Sequence, residues 1–282
     1  MIDELISEAK QSIDNKLNHS ESCQHDKTEN TLPPYIDFVS DSIGAITKRP
    51  DVLGYSLLAG FVLGLIPVLG YVLSTILVIP FTYLALYPES KFTDGLTWLK
   101  NNFFPSIWVH VLIFLVIFGG LILFIIPGVI AMMYILLVYV LLIANNERGL
   151  NALVKSTKMI SGVWWAVTLR ILLLVLVLGI ALGIAEAVVS GLFSNTLYPL
   201  LLKAITSAFE AVTTFIFCVA TVQIYRSREK SLHEAKLTTT NGLRKQYTAL
   251  AVLGAVFFTA MLLLAIFFTG LFISAIPESL LY

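Results

Sequence analysis

Charged residues are scarce in this chain, and their scarcity excludes an ordinary soluble fold. Asp, Glu, Lys and Arg make up 13% of the 282 residues, whereas a soluble globular domain carries roughly 25%. Hydrophobic residues make up 57% and the mean hydropathy is +0.87, so polar side chains are too few to cover a surface in water. A lipid solvent removes that requirement, and the composition therefore predicts a protein mostly buried in a bilayer.

Four further absences narrow the function. The formal net charge is zero, which provides no field to attract nucleic acid. The two cysteines, Cys23 in a polar stretch and Cys218 in an apolar one, lack the spacing of a metal site and indicate free thiols. Residues 1–18 are acidic and contain no apolar leader, so we expect internal spans to direct membrane insertion. No H-E-x-x-H, G-x-S-x-G or Walker sequence is present, and we expect no enzymatic activity, no cofactor and no metal.

Long apolar runs fill most of the remaining sequence. A polar head, residues 1–51, is predicted to be cytoplasmic and contains a polar linker that ends at Pro33 and Pro34. Five apolar blocks follow, at residues 52–87, 103–144, 163–189, 197–225 and 248–276. They predict an all-α, polytopic transmembrane bundle. Its parts are a membrane core at 52–228, a basic cytoplasmic loop at 229–247, and an additional span with its tail at 248–282.

The first two blocks are too long for one straight helix across a hydrocarbon core of about 30 Å. Each is interrupted by a proline and a glycine, Pro67 with Gly70 and Pro127 with Gly128. Either each block is a hairpin of two short spans that turns there, or each is one kinked helix. Broken helices of this kind can line a transport site, but a hairpin turn needs the same residues for conformational reasons alone.

Positive charges favour the hairpins. With two hairpins and a cytoplasmic N-terminus, every lysine and arginine except Lys203 and Arg170 lies on the inner side. Lys203 then lies outside, and Arg170 lies within a span from which its side chain can reach back to water. Two over-long helices would lose little of this asymmetry, but they are harder to fit in a bilayer. We therefore predict about seven spans, with the N-terminus inside and the C-terminus outside.

Two polar connectors are predicted to be interfacial helices. Residues 89–102 and 147–162 each place apolar side chains on one helical face and basic side chains elsewhere. Such faces suit an anionic cytoplasmic leaflet. Besides the bilayer itself, anionic lipid at that leaflet is therefore a predicted partner.

A stretch near the middle of the chain resembles a known family. Within residues 125–174 a Pro-Gly pair precedes an apolar span, which is followed by G-x-x-A-L-x-x-S at 149–156 and G-x-x-W at 162–165. A later run, 220–228, closes a helix at Tyr225 followed by Arg226. These features resemble the YciC-like inner-membrane proteins of bacteria and, more distantly, the membrane domain of some glycerophosphodiester phosphodiesterases. The resemblance implies a multi-pass protein of the bacterial inner membrane and no particular reaction, because that family has no known activity. This chain has a longer polar head, an added final span and no phosphodiesterase domain.

Two glycine pairs predict close helix packing. Gly60-x-x-x-Gly64 and Gly179-x-x-x-Gly183 have the small-xxx-small spacing that lets helix backbones approach each other. Either pair could form a dimer face. Because seven spans offer many internal neighbours, packing within the molecule is the favoured interpretation.

Ionisable residues inside apolar helices are the strongest functional pointer in this sequence. Glu186 ends one span, Glu210 lies about 6 Å beneath the predicted outer surface, and Lys203 lies two turns further out on the same helical face. These three residues are predicted to form an intramembrane polar cluster. It would be structural as an ion-paired staple, which is the favoured interpretation, and a transport site if it took up protons or cations. His110 has no Cys, Asp or second His on its span, which favours a neutral interfacial histidine over a metal ligand.

Two classes of function remain open. The leading hypothesis is a non-enzymatic, membrane-organising or accessory component of the inner membrane that binds a protein partner or a second copy of itself. The alternative is a small-molecule or lipid transporter whose site is the cluster of Glu186, Lys203 and Glu210. Flux measured in proteoliposomes separates the two, and co-purification of a stoichiometric partner would support the first. A structure that shows either a polar cavity or a packed interior would reduce the uncertainty most.

Overall fold

Helices are the regular elements of this protein. The computed structural model describes residues 32–66, 75–123, 125–193, 199–234 and 241–274, and all secondary structure in these ranges is helical. In chain order the helices are α1 (Tyr35–Lys48), α2 (Pro50–Gly64), α3 (Val78–Leu86), α4 (Phe92–Asn101), α5 (Phe103–Leu123), α6 (Ile125–Tyr134), α7 (Val138–Ala144), α8 (Leu150–Ile160), α9 (Trp164–Phe193), α10 (Pro199–Glu234) and α11 (Asn241–Ser274). The all-α class predicted from the sequence is confirmed for the described ranges.

Five apolar segments are long enough to cross a membrane. They are Phe103–Leu123, Ile126–Ala144, Trp164–Gly191, Leu201–Glu229 and Gly242–Thr269. The chain is therefore a multi-pass membrane protein. The first apolar block contributes shorter helices, of 15 residues in α2 and 9 residues in α3. The count of about seven spans needs two crossings from that block and stays a prediction, and Pro67 and Gly70 lie outside the described residues.

Helices α5 and α6 of the second apolar block pack against each other. A Cβ atom on Gly120 of α5 would lie 3.0 Å from the Cα atom of Gly128 in α6, so the two backbones touch there. Pro127 lies in the first turn of α6, where a missing N–H costs little because the first N–H groups of a helix have no partner within it. A hairpin that turns at the Pro-Gly pair, and its depth in the membrane, stay predictions.

A buried serine provides hydrogen-bond partners for the backbone at the break between α6 and α7. The Ser156 hydroxyl of α8 donates a hydrogen bond of 2.6 Å to the carbonyl of Tyr134 and accepts one of 3.2 Å from the N–H of Leu137. Ser156 has no exposed surface. Backbone groups that leave a helix in an apolar region must find another partner. The serine of the G-x-x-A-L-x-x-S sequence therefore has a structural role.

The core of the bundle is built around α10, which contacts α1, α2, α3, α7, α8 and α9. Ile224 and Ala220 of α10 are fully buried in one cluster with Phe38 of α1 and Leu141 of α7. Helix α1, at the end of the polar head, therefore packs into the bundle. Burial of its Phe38 ties residues 35–48 to the membrane core.

The two predicted connector helices are α4 and α8. The apolar face of α8 packs against protein, whereas the sequence predicted that it would face lipid. Leu153 and Ile160 are fully buried, and the Thr157 hydroxyl hydrogen-bonds the hydroxyl of Tyr247 in α11. The neighbouring helices α7, α10 and α11 close over this face, which local periodicity could not show. On the other side of the helix, Lys155 pairs with Glu147 at 3.1 Å.

Two arginines fix the loop that follows α3. Nη2 of Arg226 donates to the carbonyl of Leu86 at 2.8 Å, and Nη2 of Arg49 donates to the carbonyl of Ser90 at 2.9 Å. Arg49 also forms an ion pair of 2.9 Å with Asp51. The hydrogen bond from Arg49 holds the pKa of the Asp51 carboxyl below its ordinary value.

Candidate functional site

A cavity of about 520 Å³ lies between α2, α3, α5 and α10. Helix α10 provides most of its polar wall, and α5 adds an imidazole. The polar residues that line it are Thr75, His110, Lys203, Thr206, Ser207, Glu210 and Thr214. Small-molecule sites typically occupy roughly 300–1,000 Å³. In an apolar bundle, charged groups that face a cavity of this size, here Lys203 and Glu210, can take water or a ligand as partner.

The polar wall follows one face of α10. Lys203, Ser207, Glu210 and Thr214 recur at intervals of three or four residues, which brings them to the same side of a helix. Sequence reasoning singled out Lys203 and Glu210 and missed the hydroxyl residues. The same periodicity, a polar stripe in an otherwise apolar span, was the signal that could have found them.

Two glycines let α2 lie directly on α10 beside the cavity. A Cβ atom on Gly60 would lie 2.7 Å from the Cα atom of Ala208, and one on Gly64 would lie 2.6 Å from the Cα atom of Ala204. The internal packing predicted for this pair is confirmed. The same prediction for Gly179 and Gly183 finds no support, since among the described residues nothing lies within 4 Å of a Cβ on either. The part of the bundle that the structure describes leaves that face of α9 open.

Of the three residues of the predicted polar cluster, Glu210 shares a pocket with each of the other two. Glu210 lines the 520 Å³ cavity together with Lys203, and it lines a second pocket of about 80 Å³ together with Glu186. All three side chains are exposed. The ion pairs of the described residues, Arg49–Asp51 and Lys155–Glu147, include none of the three. Their role as a cluster stays a prediction, and a direct ion pair between them is not part of this structure.

His110 is positioned in the cavity by a residue of α7. The hydroxyl of Tyr139 lies 2.6 Å from Nδ1 of His110. With Nδ1 engaged, Nε2 is the ring nitrogen that can meet a ligand in the cavity. Among the described residues, no group of three or more His, Cys, Asp or Glu side chains could hold a metal ion.

Arg170 lies outside this site, and its surroundings correct a prediction. It is only 7% exposed, and it does not reach back to water. Its Nε and Nη2 atoms donate to the carbonyl of Pro33 at 2.9 and 2.7 Å, and Nη1 donates to the carbonyl of Ala166 at 2.8 Å. The guanidinium also lies over the ring of Tyr35, 4.3 Å from its centroid. Carbonyls of partly buried residues accept from Nε, Nη1 and Nη2 of Arg170, so the cation holds the start of α1 against α9.

Fold and site together define a multi-pass membrane protein with a polar cavity among its helices. A scan of known protein families, a search of curated proteins and a search of solved structures each found no match to this chain. The chemistry of the site must therefore be inferred from its own residues. It offers an ammonium, a carboxylate, an imidazole and several hydroxyls around a space of small-molecule size.

Proposed function

We propose that this protein binds a small polar solute in the 520 Å³ cavity and carries it across the membrane. The observation that carries the proposal is the cavity itself, in which Lys203, Glu210 and His110 meet inside an apolar bundle. Charged groups at such positions are costly unless a partner or a function retains them. A packed interior would have favoured the accessory role instead.

The position of the cavity also supports transport. Its lining runs along α10 from Lys203 to Thr214, roughly 16 Å by the rise of a helix, which is about half of the hydrocarbon core. The wall opposite α10 includes residues of α2 and α3, the short helices of the first apolar block. Binding sites flanked by short or broken helices are typical of secondary transporters.

The experiment measures uptake by proteoliposomes, with one variant that narrows the cavity and one control. The labelled solutes cover four charge classes: a monosaccharide, a monocarboxylate, a primary amine and the dipeptide glycylglycine. Thr214→Phe places a ring in the cavity, whereas Thr213→Phe places it at the preceding residue, which is not a lining residue. The pair is matched, because each threonine hydroxyl bonds a carbonyl one turn earlier, Glu210 for Thr214 and Phe209 for Thr213.

We expect uptake of at least one solute that falls about tenfold or more in Thr214→Phe and stays within about twofold in Thr213→Phe. Access to the cavity gives a second readout. In a background without Cys23 and Cys218, a cysteine at Thr214 should react with a water-soluble thiol reagent and one at Thr213 should not, because the reactive thiolate needs water. An absence of uptake for all four solutes, together with an inert cysteine at Thr214, would contradict the proposed function.

We also propose a location and a topology: the inner membrane of a bacterium, about seven spans, a cytoplasmic N-terminus, and membership of the YciC-like proteins. The supports are the one-sided distribution of lysine and arginine and the residues quoted for the resemblance. A periplasm-only reporter should be active when fused after Tyr282 and inactive after Lys236. Equal signal at both points, or the reverse order, would exclude this topology.

The accessory role keeps one observation in its favour. Gly179 and Gly183 face outward on α9, where another helix could approach closely. Cysteine at Gly183 should then form a disulfide-linked dimer in membranes if the partner is a second copy. If the protein shows uptake but forms no cross-linked dimer, transport remains the only proposed function.

A further inference from the structure

Lys203 and Glu210 present opposite charges to one cavity without neutralising each other. They are two turns apart on α10, so their backbones lie roughly 10 Å apart along one face. Both side chains are exposed to the space they line, and no ion pair of the described residues includes either. Two separated and opposite charges on one wall recognise a molecule that itself carries two opposite charges.

The hydroxyl groups near Glu210 indicate which charge of such a molecule would lie beside that carboxylate. Thr214 donates its hydroxyl hydrogen to the carbonyl of Glu210 at 2.9 Å, and Thr206 donates its own to the carbonyl of Lys203 at 3.0 Å. With their hydrogens engaged, these two hydroxyls offer only acceptor lone pairs to the cavity. Glu210 lies one turn from each of them, and its carboxylate is also an acceptor. The Glu210 end therefore suits a group with several donors, and an ammonium has three.

The other end of the wall has the opposite preference. Lys203 contributes donors and a positive charge, which suit a carboxylate or a phosphate. On the far side of Glu210, Glu186 lines the adjoining pocket of about 80 Å³ and adds to the negative potential there. The polarity of the cavity thus runs from positive at Lys203 to negative at Glu210.

We propose that the ligand is a zwitterion whose ammonium lies at Glu210 and whose anionic group lies at Lys203, an assignment that rests on the proposed solute-binding function. The spacing favours charges several ångströms apart, as in an extended dipeptide, whose ends are separated by roughly 7 Å. The same chemistry occurs in a free dipeptide and in the headgroup of phosphatidylethanolamine. Both are zwitterions with a primary amine.

The experiment compares three probes on the unmodified protein in neutral detergent. Glycylglycine carries both charges, N-acetylglycylglycine lacks the ammonium, and glycylglycinamide lacks the carboxylate. We expect each capped probe to bind at least about tenfold more weakly than glycylglycine by calorimetry, since each leaves one wall charge without its partner. A lipid arm uses nanodiscs, in which phosphatidylethanolamine should bind in preference to phosphatidylglycerol if the source is a headgroup.

Charge variants identify the residues. Glu210→Gln and Lys203→Gln should each weaken binding of the zwitterion about tenfold or more, and the double exchange Lys203→Glu with Glu210→Lys should restore most of it with the ligand reversed. Selective binding of either glycylglycine or phosphatidylethanolamine with this dependence supports the proposal and identifies the source. Equal binding of the capped probes, indifference to both variants, or no binding of either zwitterion overturns it. If uptake of the monosaccharide still depends on Thr214, the proposed function stands and the zwitterion assignment alone has failed.

Discussion

Arg170 and Lys203 are both cations within apolar helices, yet their surroundings are opposite. The guanidinium of Arg170 is 7% exposed, donates to the carbonyls of Pro33 and Ala166, and lies over the ring of Tyr35. The ammonium of Lys203 is exposed to a 520 Å³ cavity and has no ion-pair partner among the described residues. A cation whose donors are filled by backbone carbonyls stabilises the fold, whereas a cation left open at a cavity is available to a ligand. Stability measurements can therefore separate the two roles.

The largest loss is expected for Arg170→Leu. Removing the guanidinium takes its hydrogen bonds from the partly buried carbonyls of Pro33 and Ala166 and detaches the start of α1. We expect the free energy of unfolding to fall by about 3 kcal/mol or more, measured by reversible unfolding in mixed micelles followed by tryptophan fluorescence. The matched variant Lys203→Leu should change it by less than about 1 kcal/mol. Equal losses in the two variants would abolish the distinction between a structural and a functional cation.

A smaller loss is expected where backbones touch beside the cavity. Gly60→Ala places a methyl group 2.7 Å from the Cα atom of Ala208, which forces α2 away from α10. We expect a loss of about 1–3 kcal/mol in the same assay. Gly54→Ala is the control on the same helix, because nothing lies within 4 Å of its Cβ, and it should be neutral or stabilise α2 by up to about 1 kcal/mol. An unchanged free energy of unfolding in Gly60→Ala would show that α2 can move away from α10 without loss of stability.

Ser156→Ala tests a buried polar group that serves the backbone alone. The change leaves the carbonyl of Tyr134 and the N–H of Leu137 without their partner at the break between α6 and α7. We expect a loss of about 1–2 kcal/mol, accompanied by faster hydrogen exchange at Leu137. Ser190→Ala should cost less than about 0.5 kcal/mol, since that hydroxyl is exposed and bonds only to its own helix. Unchanged exchange at Leu137 would show that Ser156 does not hold the break.

The smallest effect is expected for a third cation, Arg49, at the surface with its partner Asp51. The folded pKa of Asp51 is below the ordinary value of 3.8, so the pair stabilises the protein above that pH and the contribution disappears as the pH falls through the lowered value. Asp51→Asn should lower the free energy of unfolding at pH 7 by no more than about 0.5 kcal/mol. Titration to a pH below the lowered pKa of Asp51 should bring variant and wild type together, and a gap that stays constant from pH 7 to that pH would contradict this assignment.

Local sequence was sufficient to predict the helices, but it could not show which elements pack against them. The apolar blocks predicted the membrane helices because a chain in lipid must satisfy its backbone within each segment. The same reasoning predicted a helix over residues 147–162, which the structure has at 150–160. It placed the apolar face of that helix on lipid, because periodicity does not reveal which surface covers a face. It likewise treated Gly60 with Gly64 and Gly179 with Gly183 alike, although α10 covers only the first pair.

Part of the candidate site could be predicted from the sequence. Lys203, Glu210 and Glu186 were identified because charge in an apolar run is costly wherever it lies. His110 was noticed but given no partner, since Tyr139 belongs to another helix. The hydroxyls of Thr206 and Thr214 went unnoticed, because threonine in a membrane helix commonly satisfies its own hydrogen on the preceding turn, as both do here.

Composition and apolar run length by themselves determined that this chain is a helical, multi-pass membrane protein, because lipid accepts few other backbones. Spacing along a single helix determined which polar groups share one face of α10. Only the tertiary structure decided that this face borders a cavity, that Arg170 serves the fold and that Ser156 repairs a helix break. Each of these depends on side chains and backbone groups from segments far apart in the chain. Their approach is set by how whole helices pack, and no local rule of periodicity or charge contains that information.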